Sequence, residues 1–214
     1  MGGHGIMCAG HRPEIIQVTS SSLQEVAARV AAALRLGQVV VLPTDTVYGL
    51  AADSTVPGAA DRLFKIKGRD LHKPVALLAA DLADIEAYGG RLGPAAQKLA
   101  RKFWPGALTL VLPAGEGFEG FRIPDLAVTR EILRAAGGVL RVTSANRSGE
   151  NPALSAEEAL QQLGGDVDLI VNAGPAPGQI PSTVVKVDGS QMTVLRVGAI
   201  PESDLRSAID QLSP

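Results

Sequence analysis

The sequence predicts an α/β domain built on a twisted mixed parallel/antiparallel sheet with flanking helices, and three observations carry that reading. The run Val39-Val-Val-Leu42 is apolar at every residue, as a strand covered on both faces is. Stretches with apolar residues at helical spacing alternate with such runs along the chain. Near the C-terminus two strand-like segments flank Asp188-Gly189, a hairpin signal that argues against a wholly parallel sheet. A length of 214 residues favours one sizeable core over two.

Taken in order, Ser22-Leu-Gln-Glu25 reads as a capping box: the serine oxygen accepts an orphan amide while Glu25 reaches back. Val26, Val30, Ala33 and Leu34 then recur on one helical face, and Gly37 can end the helix in a left-handed conformation. After the Val39–Leu42 strand come a helix over 59–67, a strand over 75–78, and helices over 82–88 and 94–103. Strands are expected at 108–112 and 139–143, with a helix over 128–136 between them. Ser155-Ala-Glu-Glu158 is a second capping box, opening a helix that Gly164-Gly165 can stop. A strand follows at 169–171, then a hairpin of 183–187 and 192–196, then a helix that starts at Pro201. The Gly- and Pro-rich loop from Ala173 to Pro181 is the one segment that reads as mobile.

Aromatic residues make up only 3 %, so the core has to be built from Ala, Val, Leu and Ile. The apolar runs are too short to cross a bilayer, and no secretory h-region is present, so no membrane role is expected. The single cysteine, Cys8, cannot close an internal disulfide, which fits a cytoplasmic location. His4, Cys8 and His11 lack a fourth metal ligand, and residues 1–14 are expected to form a flexible N-terminal segment before a catalytic domain at 15–214. Formal charge is −2, whereas a protein that grips long nucleic acid by counterion release is usually basic.

The usual nucleotide signatures are missing: no P-loop, no G-x-G-x-x-G after a strand, no nucleophile elbow and no paired C-x-x-C. Four other segments could carry chemistry. Pro43-Thr-Asp-Thr-Val-Tyr-Gly-Leu50 follows the buried strand, where open α/β sheets bind ligands, although it also reads as a turn satisfying its own backbone. Lys65, Lys67, Arg69 and Lys73 cluster at a helix end, suited to clamping phosphate or simply to complementing the helix dipole. Thr143-Ser144-Ala-Asn146-Arg-Ser148-Gly149 follows another strand and offers hydroxyls and an amide to a phosphate or ribose; an ordinary Asx/Ser turn is the alternative. Pro181-Ser182-Thr183 precedes the hairpin, and Arg196-Val-Gly198 ends it.

Taken together with Trp104-Pro-Gly106 and Thr109, these segments resemble, in order and wording, the YrdC-type threonylcarbamoyl-AMP synthases. The resemblance spans roughly residues 15–200. It implies a YrdC-like fold with a concave active-site face. The implied activity is a nucleotidyltransferase that makes threonylcarbamoyl-AMP and pyrophosphate from L-threonine, bicarbonate and ATP with Mg²⁺. Downstream tRNA threonylcarbamoyltransferase proteins would then modify an adenosine beside the anticodon. On this resemblance Lys67, Arg69, Ser144 and Asn146 form the catalytic tetrad and, with Arg196, hold ATP. Thr44, Thr46, Arg122, Thr143 and Ser182 are expected at the threonine.

Two residues depart from the family pattern. Asp70 stands where Pro often follows the arginine, and Arg141 enters the approach to Ser144 where a small or apolar residue is commoner. The sequence is also expected to represent the short form, without the family's extra C-terminal domain. Two competing readings share the fold. One is a module contacting tRNA or double-stranded RNA through a patch of Lys67, Arg69, Arg141 and Arg147; the other is a paralogue without synthase activity.

Overall fold

A ten-stranded mixed sheet runs through the computed structural model, which describes residues 12–19, 21–68 and 74–210. The first half of the chain supplies strands β1 (Glu14–Gln17), β2 (Val40–Leu42), β3 (Gly49–Ala52) and β4 (Leu77–Ala79). Between them lie helices α1 (Leu23–Arg35) and α2 (Ala59–Lys67), followed by α3 (Leu82–Tyr88) and α4 (Pro94–Phe103). The second half contributes β5 (Leu108–Ala114), β6 (Gly117–Arg122), α5 (Ala127–Ala136), β7 (Val139–Ser144) and α6 (Ala156–Leu163). It ends with β8 (Leu169–Asn172), β9 (Thr183–Asp188), β10 (Gln191–Arg196) and α7 (Glu202–Asp210).

The strand order is β1-β8-β2-β3-β7-β4-β6-β5-β9-β10. Pairs β1–β8, β2–β8, β4–β6 and β5–β9 are parallel, while the β5–β6 and β9–β10 hairpins are antiparallel. The predicted mixed sheet and closing hairpin are therefore present.

Alternation along the strands sorts side chains between layers. Val40 and Leu42 face α1 and α5, whereas Val39 and Val41 face α2 and α6, so this half of the sheet is covered twice. In the other half Leu108, Leu110 and Leu112 pack with α4 and α7. The alternate residues of these strands, among them Thr109, Val111, Val184 and Lys186, line an open concavity instead. The uncovered face creates the site.

Three strands were not foreseen. β3 is four small or aliphatic residues inside the segment taken as a loop motif, β6 carries two glycines and two charges, and β1 is a short edge strand. The first capping box is also not formed. The Ser22 hydroxyl accepts from the Thr19 amide and the Ser22 amide donates to Thr19 O, so a local turn captures both groups. At α6 Ser155 Oγ does accept the Glu158 amide at 3.2 Å, but Glu158 takes the amide of Leu154, one residue earlier than expected. Asp81 and Asp84 form the reciprocal box of α3 instead.

Gly37 adopts the left-handed conformation at the end of α1, as expected. His4, Cys8 and His11 lie outside the described residues. No helix among the described residues is long and apolar enough to cross a membrane.

Candidate active site

A cavity of about 500 Å³ opens on the uncovered sheet face. Its walls come from the ends of β2 and β3, the C-terminal end of β7, and strands β5, β6 and β9. It has two polar stations.

The first station is built on Lys67, the last residue of α2. Gly68 caps that helix in the left-handed conformation, and Ser148 donates its amide to Lys67 O at 2.9 Å. Helix end and loop are thereby locked together. Lys67 is only 4 % exposed, and its ammonium donates to Ser144 O at 2.6 Å, Ser144 Oγ at 3.0 Å and Asn146 Oδ1 at 2.5 Å. Asn146 is held in turn by its amide nitrogen, which donates to Arg147 O and Glu150 O. A buried cation thus organises the short polar side chains that follow β7, and Thr143 and Ser144 line the cavity directly.

The second station surrounds Arg122 at the end of β6. Its Nε donates to Gly106 O at 2.9 Å, Nη1 to Thr46 Oγ1 at 2.8 Å and Nη2 to Asp45 Oδ1 at 2.6 Å. The two side chains of the ion pair are 7 % and 13 % exposed, so the pair is desolvated. Burial pushes the guanidinium below its ordinary range, and the charge and hydrogen bond of Asp45 oppose that shift. Across the cavity Ser182 Oγ lies 2.9 Å from Thr109 Oγ1, and Arg196 donates to Ser182 O at 2.8 Å. Thr44 Oγ1 donates to Val47 O and accepts the Thr46 amide, so its hydroxyl shapes the turn while the residue lines the site.

Lys67, Ser144 and Asn146 therefore meet as expected, and Thr44, Thr46, Arg122, Thr143, Ser182 and Arg196 lie along one cavity. Arg69, Asp70 and Lys73 fall outside the described residues. Sequence reasoning left out Asp45, the partner of Arg122, although it sits between two threonines already singled out. It also left out Lys186, whose ammonium lies 3.8 Å from the Phe118 ring centroid at the cavity wall. Only the pairing of non-adjacent strands brings those two together.

The loop 173–181, expected to be mobile, is packed down. Tyr48 donates its phenol to Gly174 O, Ala176 is buried with its amide on Leu154 O, and Gly178 lies against the backbone of Asp45 and Thr46. Of the basic patch proposed for RNA, Arg69 lies outside the described residues, Lys67 is buried, Arg141 pairs with Glu119 at 2.8 Å, and Arg147 pairs with Asp166 at 2.5 Å.

The pattern of the Sua5/YciO/YrdC family, described as "Telomere recombination", matches residues 32–198. The chain belongs to this family. A Mycobacterium tuberculosis member, provisionally named a threonylcarbamoyl-AMP synthase, is 39 % identical over 178 residues, covering 78 % of this chain and 82 % of its own. The Bacillus subtilis threonylcarbamoyl-AMP synthase is 33 % identical over 193 residues, covering 85 % of this chain and 56 % of its own. Among solved members, Pyrococcus abyssi Sua5 complexed with L-threonine superposes with a TM-score of 0.85 at 26 % identity, covering 92 % of this chain and 60 % of that one. The chain thus spans little more than half the length of these last two family members.

Proposed function

We propose that this protein is an L-threonylcarbamoyladenylate synthase, joining L-threonine, bicarbonate and ATP into threonylcarbamoyl-AMP with release of pyrophosphate. The observation that carries the proposal is the pair of polar stations in one cavity. One is the Ser144 wall, held from behind by the buried Lys67 ammonium, the other a buried guanidinium framed by hydroxyls. The family's synthases and the threonine complex of Sua5 support the same reading.

Condensation of the threonine amine with bicarbonate gives a carbamate and water. A carbamate oxygen then bonds to the α-phosphorus of ATP as the bond to the pyrophosphate oxygen breaks. Both reactants are anions, so the protein's task is to neutralise and position charge. Lys67 supplies positive charge beside the nucleotide phosphates, with Arg69 assigned beside it from the sequence pattern. Ser144 and Asn146 orient phosphate or ribose oxygens, and Arg196 adds a cation at the far wall. Arg122 spends three of its five N–H donors on Gly106, Thr46 and Asp45, leaving two for the amino-acid carboxylate. Thr46, Thr143 and Ser182 surround the remaining polar groups of threonine.

Mg²⁺ is assigned as part of the nucleotide substrate. Among the described residues no group of three or more His, Cys, Asp or Glu side chains gathers that could cage it, and triphosphate oxygens and water suit its octahedral demand. Bound there, it would stabilise the departing pyrophosphate.

The test is pyrophosphate release from the purified protein with ATP and Mg²⁺, with threonine or bicarbonate omitted in turn. Release that needs both is the expected result. Release independent of threonine would refute the assignment, as would a folded, ATP-binding protein that releases none.

A further inference from the structure

A second cavity, of about 550 Å³, lies where the C-terminal end of α4, the outer side of α5 and the start of α3 meet. It shares no lining residue with the first. Three arginines reach it: Arg101 from α4, and Arg130 and Arg134 from α5. Their charges are poorly matched by acids. The Arg101 guanidinium has no hydrogen bond or ion pair among the described residues. Arg134 pairs with Glu131 on its own helix, and Arg130 has only Asp125, at 3.9 Å. The Arg130 Nε is buried and has no hydrogen-bond partner among the described residues. Such an orphaned donor costs roughly 1–3 kcal/mol unless something accepts from it.

The other walls define what would accept. Leu92, Ala100, Trp104, Pro105 and Ile123 make an apolar side broad enough for a ring. Of the two lining acids, Asp81 already caps α3 through the amides of Ala83 and Asp84. The Glu86 carboxylate, on the opposite wall, has no hydrogen bond or ion pair among the described residues, so it can accept from a hydroxyl. Guanidinium forks suit phosphate oxygens, which they can hold in pairs.

We infer that this second cavity binds a phosphate monoester carrying a hydroxylated, planar body, of the nucleoside monophosphate kind. The phosphate sits among Arg101, Arg130 and Arg134, the ring against Trp104 and Pro105, and a sugar hydroxyl on Glu86. The site has a physical line to the first cavity. Gly106 follows Trp104-Pro105, donates its amide to Ile123 O, and accepts from Arg122 Nε at its carbonyl. Whatever presses on Trp104 and Ile123 therefore bears on the residue that positions Arg122.

Trp104 is the chain's one tryptophan, so its fluorescence reports this cavity. AMP, ribose 5-phosphate and inorganic phosphate would be titrated into the full chain while fluorescence and heat are followed. Saturable binding of AMP, tighter than inorganic phosphate, is expected. Arg130→Gln should weaken it about tenfold or more, the worth of one charged hydrogen-bonding group. Arg101→Gln breaks no side-chain hydrogen bond or ion pair among the described residues, so it should weaken binding severalfold without altering the melting temperature. Lys67→Ala, in the first cavity, should leave the Trp104 response in place. A response abolished by Lys67→Ala and kept in both arginine variants would overturn the inference, since it would originate in the first cavity. A wild-type protein that shows neither heat nor fluorescence change with millimolar AMP would overturn it too, as would a response given only by an RNA oligonucleotide.

Discussion

Replacing Lys67 with methionine removes one charge while keeping a side chain of similar length, and it separates stability from catalysis. Two opposed terms act on stability. The substitution strips the donor from Asn146 Oδ1, at roughly 1–3 kcal/mol for a buried acceptor left bare, while Ser144 O keeps the Asn146 amide at 3.0 Å. It also removes the cost of burying the ammonium of a residue that is 4 % exposed, itself several kcal/mol. These nearly cancel, so the melting temperature should move only a few degrees. Catalysis has no such cancellation. A lost cationic contact to transition-state charge costs about 2–4 kcal/mol by analogy with oxyanion donors, or roughly 30- to 900-fold in kcat/KM.

The assay is threonine- and bicarbonate-dependent pyrophosphate release, alongside a thermal melt of the same sample. Asn146→Ala and the double variant complete a cycle. Because Lys67 donates to Asn146 Oδ1, the two losses should overlap by about 0.5–3 kcal/mol rather than add. A folded Lys67→Met protein within threefold of wild-type kcat/KM would remove Lys67 from the chemistry. Strict additivity would instead show that the hydrogen bond plays no part in aligning Asn146.

Arg122→Ala leaves the Asp45 carboxylate, 13 % exposed, without its partner; a loss of about 3–5 kcal/mol in urea denaturation is expected, and Asp45→Asn should recover at least half of it. Gly178→Ala would set a Cβ 2.5 Å from Asp45 O and 3.3 Å from Thr46 Cα, both backbone atoms that cannot swing aside. Limited proteolysis should therefore cut between 173 and 181 faster in that variant, and an unchanged cleavage rate would refute the docked arrangement of the loop. Burial, aided by the charge of Glu157, holds the Tyr48 phenol above its ordinary value of about 10. Its contribution to stability is thus complete below pH ~10 and is lost as pH rises towards the higher folded-state value. Tyr48→Phe should flatten the alkaline limb of the stability curve, checked by denaturation above pH 10 and by phenolate absorbance.

What could be read in the sequence follows from how local each signal is. Helix α4 was legible to the residue because Pro94 starts it and its apolar positions recur regularly. The β9–β10 hairpin was legible because Asp188-Gly189 names its own turn. β3 was not: Gly-Leu-Ala-Ala has little strand propensity, and only its neighbours β2 and β7 make it a strand. The same logic divides the site. Lys67, Ser144 and Asn146 were picked from motif wording, yet the bond from Lys67 Nζ to Asn146 Oδ1 joins residues 79 apart. Their geometry depends on β3 lying between β2 and β7, which no local pattern announces. Asp45 was overlooked for the opposite reason. An Asp between two threonines satisfies a turn so readily that its ion pair with Arg122, 77 residues away, left no local trace.

The difference between the two halves of the sheet explains why no covalent nucleophile is required. Strands β2, β3 and β8 are sealed by helix pairs on both faces, which makes them a rigid wall. Strands β6, β5 and β9 are sealed on one face only, so their alternate residues stand in the cavity at fixed spacing. Arg122 enters this concavity directly and Lys67 stands behind its Ser144 wall, each already bonded to at least three protein oxygens before any substrate arrives. Their reorganisation cost is met during folding rather than at the moment of reaction, and that is where preorganised charge gains over water. An anionic, labile carbamate attacking an anionic phosphate ester gains most from such a site. Moving either cation by an ångström should then cost more than deleting any one hydroxyl that lines the cavity.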